Sequence, residues 1–131
     1  MNQVKKMTFA ELVDETVSYY TNNPRSFEYS SMGNAMCKYA GPNGEVCAAA
    51  RLCDESTDLE YLDGQRQPAW EDVCDMATLK PEYAHFTTAQ IGALQVLHDR
   101  DLNWLAPYGK SGTRGLSGDG KATVELIKAK L

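Results

Sequence analysis

Positions Phe9, Leu12, Val13, Thr16, Val17 and Tyr20 fall on one side of a wheel that advances about 100° per residue, which predicts an amphipathic helix. Thr8 and Glu11 are spaced as a capping box at its start, bracketed by Met7 and Leu12 as a hydrophobic staple, and Asn22-Asn23-Pro24 ends it. The same grammar recurs at Phe86-Thr87-Thr88-Ala89-Gln90-Ile91, with Thr87 and Gln90 as the box. In that second helix Ile91, Leu94, His98, Leu102 and Leu105 share a face, while Val96 and Asn103 point away. A shorter helix is predicted from Ala69 to Leu79, before Lys80-Pro81, and a last one after Asp119 as cap, burying Val124, Ile127 and Leu131.

Between the first two helices the period shortens. Cys37-Lys38-Tyr39-Ala40 and Glu45-Val46-Cys47-Ala48 flank Gly41-Pro42-Asn43-Gly44, and Asn-Gly supplies the positive backbone angles of a tight turn. The expectation is an antiparallel hairpin, with Phe27 to Tyr29 as a candidate third strand. The predicted class is therefore α+β, a helix-rich single domain over 1–131 with a short hairpin and a Gly-rich flexible loop at 109–120.

The chain has 131 residues, 43% of them apolar and 24% charged, with a net charge of -5. That is enough chain for one core, and the balance argues against intrinsic disorder. The longest apolar run, Val46 to Ala50, falls far short of the roughly 20 residues that span a bilayer. Lys5 and Lys6 lead into the acidic Glu11, Asp14 and Glu15 rather than an apolar block, so a cytoplasmic location is expected and a membrane partner is not. Charge is uneven: nine acids face two bases between Glu45 and Asp75, whereas six bases face three acids from Arg100 to Leu131. A surface for duplex nucleic acid needs a far more basic stripe.

The motifs Cys37-Lys38-Tyr39, Gly41 to Gly44, Cys47-Ala48-Ala49-Ala50-Arg51-Leu52 and Leu94-Gln95-Val96-Leu97-His98-Asp99 resemble a family of small uncharacterised phage and bacterial proteins. The likeness covers roughly residues 8 to 100. The family pattern places Gly after Cys-Ala, where this chain has Ala49 and Ala50, and the tail from Gly109 to Gly120 lies outside that pattern. The resemblance implies a small phage-type accessory protein and supplies no reaction.

Cys37, Cys47, Cys53 and Cys74 are separated by nine, five and twenty residues, not by the two-to-four-residue knuckles of structural zinc, so no metal ligand is assigned. Buried thiols, a Cys37–Cys47 pair across the hairpin and reactive thiols all fit the spacing. His98 sits in an apolar stripe, either buried with one polar partner or lining a pocket. Asp99, about 100° further round the helix, is not expected to orient its ring, which argues against a catalytic dyad. Neither a Gly-x-Ser-x-Gly elbow nor a His-Glu-x-x-His helix is present; no catalytic residue and no cofactor is assigned, and an enzyme is disfavoured.

Gly109-Lys110-Ser111 resembles a triphosphate-binding loop but has Trp104 where the motif needs glycine. The loop still gathers amides, the hydroxyls of Ser111, Thr113 and Ser117, and the cations Lys110, Arg114 and Lys121 ahead of a helix start, a suitable cradle for phosphate. Seven tyrosines and two tryptophans offer flat faces for a base. The leading expectation is a protein that sequesters a phosphate-bearing, nucleotide-derived signal of a host's defence. Lys110, Ser111, Thr113, Arg114 and Arg51 would hold phosphate, and His98, Tyr39 and Trp104 the remainder. The alternative is an acidic interaction module whose segment Asp54 to Asp75 docks on and inhibits a basic host protein. A third reading is a small enzyme using His98. Assembly of identical subunits is compatible with each, although no heptad announces it.

Overall fold

The computed structural model describes residues 6–29, 35–41, 44–65, 69–105 and 115–131, with backbone alone for 27–29 and 35–37. Five α-helices carry it: α1 (Phe9–Asn22), α2 (Leu59–Asp63), α3 (Trp70–Val73), α4 (Thr88–Asp99) and α5 (Gly118–Lys130). Single 3₁₀ turns at Ala50–Leu52, Cys74–Met76, Pro81–Tyr83 and Asp101–Asn103 join them.

Both capping boxes form. Thr8 accepts from the Glu11 amide at 3.1 Å while Glu11 accepts from Thr8 N–H at 2.9 Å, and Thr87 with Gln90 repeats this at 3.1 and 2.9 Å. α1 buries Phe9, Leu12, Val13, Thr16 and Tyr20; α4 buries Ile91, Leu94, Gln95, Leu97 and His98. The stretch Cys47 to Leu52 is buried but for Arg51, and its three consecutive alanines keep side-chain bulk small there. α5 packs on α1, α4 and the Asp101–Asn103 turn.

The α+β expectation is overturned. Helix makes up 59% of the residues described in full, and the hairpin of 37–40 with 45–48 does not form. What remains of it is an isolated bridge between Ala40 and Val46, with Gly41 N–H donating to Glu45 O at 2.8 Å; Pro42 and Asn43 of the expected turn lie outside the described residues. The physical reason is competition for backbone groups. The amides of Tyr39 and Ala40 donate to the Asp63 carboxylate at 2.6 and 3.1 Å, and the Val46 carbonyl accepts from the Tyr20 hydroxyl at 2.5 Å. In the register of that bridge the Tyr39 amide and the Cys47 carbonyl would pair, but the amide is held by Asp63 and the Cys47 carbonyl accepts from Arg51 N–H at 3.0 Å as the chain turns into 3₁₀ geometry. Extended pairing occurs elsewhere, between β1 (Phe27–Tyr29) and β2 (Ala35–Cys37), with Glu28 opposite Met36. Three residues a side make a local clip on a helical fold rather than a sheet layer.

Other element ends also differ from the pattern. The helix expected over 69–79 stops at Val73 and tightens into a 3₁₀ turn. α4 ends at Asp99 because Arg100 is extended, so Leu102 and Leu105 leave the apolar face and are exposed, while Asn103 turns inward. α5 starts earlier than expected: the cap is Ser117, whose Oγ accepts from Gly120 N–H at 3.0 Å, not Asp119, and Leu131 is 45% exposed.

Candidate functional site

His98 is fully buried, and both ring nitrogens are used. Ser26 N–H donates to Nε2 at 3.0 Å, so Nε2 carries no hydrogen; Nδ1 therefore bears the proton and donates to Asp99 Oδ1 at 2.7 Å. The expectation that Asp99 cannot reach this ring is thus corrected. Asp99 is the last residue of α4, and with the chain extending at Arg100 no further helical turn holds its side chain away. Burial holds the His98 pKa below its ordinary value, opposed in part by Asp99. Tyr20 packs edge-on to the ring at 4.8 Å between centroids. With no nitrogen free and no exposure, this imidazole positions backbone rather than substrate.

Arg25, 2% exposed, completes the arrangement. Its Nη1 donates to the His98 carbonyl at 2.8 Å and its Nη2 to Asp101 at 2.7 Å, placing a cation on the negative end of the α4 dipole. The dipeptide Arg25-Ser26 straps the end of α1 to the end of α4.

Of the other described residues expected to touch a ligand, Trp104 shares the Tyr20 ring with His98 at 6.1 Å between centroids, and each is committed to a partner within the fold. Tyr39 is fully buried, with its hydroxyl accepting from Gln95 Nε2 at 2.9 Å. Trp104, 4% exposed, donates its indole N–H to Leu97 O at 3.0 Å. Arg51 pairs with Glu15, lies 4.7 Å over the Tyr19 ring, and lines a shallow depression of about 440 Å³ with Cys53, Asp54 and Lys80. Lys110, Ser111, Thr113 and Arg114 lie outside the described residues. The residues on either side of that segment pair with one another: Leu105 N–H donates to Gly115 O at 3.0 Å and Ser117 N–H to Asn103 O at 2.9 Å, with Trp104 bridging Leu116. The α5 start expected to greet a phosphate has its Gly120 amide occupied by Ser117 and an acid, Asp119, in its first turn.

The acidic segment is divided by the fold. Asp63 turns inward to the amides of Tyr39 and Ala40, and Asp54 accepts from Ser56, whereas Glu55, Asp58 and Glu60 stay exposed around α2. Beside Glu60, Tyr61 leaves 56% of its surface in water. Periodicity alone does not single out this tyrosine; its place beside Glu60 in a Leu-Glu-Tyr-Leu-Asp stretch whose leucines face inward is the available signal. Equally unmarked in the sequence is a groove between α3 and α4 of about 520 Å³, lined by Trp70, Glu71, Ala89, Gly92, Ala93 and Val96 among others.

No grouping of three or more His, Cys, Asp or Glu side chains suited to a metal occurs among the described residues, and no helix among them is long and apolar enough to cross a membrane. No protein-family model, curated protein or solved structure matches the chain.

Proposed function

We propose that the protein is an interaction module whose α2 surface docks a basic partner protein. The carrying observation is Tyr61, a large aromatic side chain 56% exposed on a short helix beside the exposed acids Glu55, Asp58 and Glu60. An exposed tyrosine offers apolar area at low entropic cost, and a surrounding field of one sign steers an oppositely charged surface. A basic host protein, such as one built to grip nucleic acid, has the matching chemistry. The reading includes a cytoplasmic setting, which suits the free thiols Cys47, Cys53 and Cys74. Affinity capture from host lysate tests it: the captured partner is lost with Tyr61→Ala, with Asp58→Lys/Glu60→Lys and at high salt. Capture indifferent to all three overturns it.

Sequestration of a phosphate-bearing nucleotide is the second reading. It draws support from the pairing of Leu105 with Gly115, which brings together the two ends of the segment carrying Lys110 and Arg114. A thermal shift with cyclic nucleotides, abolished in Lys110→Ala/Arg114→Ala, is its expected result; a flat response across the panel removes it.

A further inference from the structure

α5 carries an apolar ridge on the wrong side. Its core face holds Gly120, Val124 and Ile127, yet Ala122, Leu126 and Ala129 lie about 180° away at 100° per residue, and all three are exposed, Leu126 at 57%. A solvent-facing ridge normally reads polar. A large residue between two alanines is instead the profile of a knob.

The α3–α4 groove has the complementary profile. Ala89, Gly92, Ala93 and Val96 occupy positions i, i+3, i+4 and i+7 of α4, the four corners of a hole that receives one knob from a facing helix. A Cβ built on Gly92 meets nothing within 4 Å, so the floor is open, and Val96 is 46% exposed at the rim. The Trp70 indole N–H, buried in the wall, has no acceptor among the described residues. Charge agrees with shape: Glu71 lines the groove with Asp72 exposed beside it, while Lys130 is exposed on one flank of the α5 ridge and Lys121 and Glu125 lie on the other. Lys128 is engaged by Asp14 within its own chain.

We infer that the occupant of this groove is a second copy of the chain, Leu126 of one copy entering the hole around Gly92 of another, with Lys130 facing Glu71. This contact is separate from the α2 surface. Sedimentation velocity of the full chain at concentrations up to about 1 mM shows concentration-dependent self-association. Leu126→Glu and Gly92→Leu, each verified as folded by circular dichroism and thermal melting, each weaken it by at least about tenfold. Mixing the two variants restores association, because one retains the groove and the other the ridge. Lys130→Glu and Glu71→Lys each weaken it, and their combination recovers it. A wild-type chain that stays monomeric throughout, or folded variants that associate as wild type does, overturns the inference. Asp58→Lys/Glu60→Lys leaves self-association unchanged, so this contact and the α2 surface fail separately.

Discussion

The Ser26 backbone N–H meets Nε2 of His98 at 3.0 Å in a site from which water is excluded. That hydrogen bond exists only while the imidazole is neutral, because a protonated ring presents hydrogen at both nitrogens. The groups around it are Asp99 on Nδ1 and Arg25 on the His98 carbonyl, with Asp101 holding Arg25.

Stability therefore depends on pH with a definite sign. Burial places the folded-state pKa of His98 below the ordinary 6.5, so the unfolded chain binds the proton more readily. The His98 contribution is complete above pH 6.5 and is lost as pH falls through the folded value, with a slope of at most about 1.4 kcal/mol per pH unit. Urea denaturation at a series of pH values below neutrality measures it. His98→Gln removes this component of the slope and lowers stability at neutral pH by about 2 kcal/mol or more.

Among the described glycines, Gly120 has the closest neighbour. A Cβ at this position would lie 2.1 Å from the Asn103 carbonyl oxygen, a backbone atom that cannot rotate aside. Gly120→Ala should cost roughly 2 kcal/mol or more by prying α5 off the Asp101–Asn103 turn. Gly118→Ala, where a Cβ meets nothing within 4 Å, should be neutral or mildly stabilising in the same thermal melts.

Tyr39 distinguishes a core role from a ligand role. Tyr39→Phe leaves Gln95 Nε2 without the hydroxyl it donates to, and Gln95 Oε1 is the acceptor for Trp70 N–H at 2.9 Å. The expected loss is about 1–2 kcal/mol of folding stability, with capture through α2 unchanged. A loss of capture at full stability would return Tyr39 to a binding surface.

Thiol chemistry should follow burial. Cys53 has its pKa pushed up to about 11, mainly by desolvation with Cys47 adding to it, and both thiols are buried, whereas Cys74 is half-exposed. Under native conditions near pH 8, iodoacetamide should modify Cys74 well before Cys47 or Cys53. Peptide mass spectrometry reads the order, and equal rates would contradict the burial described.

Much of the helical framework was legible in the chain. Thr8 with Glu11 and Thr87 with Gln90 mark α1 and α4 to within a residue, because caps and apolar periodicity are interactions among neighbours three and four apart. The end of α1 at Asn22 is of the same kind. Partners remote in sequence decided the rest. Asn-Gly and flanking apolar residues announce a hairpin, but Asp63, 24 residues beyond Tyr39, takes the amide its ladder required. His98 in its apolar stripe leaves both a core role and a pocket role open until Ser26, 72 positions earlier, occupies its nitrogen. Local grammar is written in adjacent side chains, whereas the fate of a buried donor or acceptor depends on which distant group reaches it first, and only the folded chain brings those groups together.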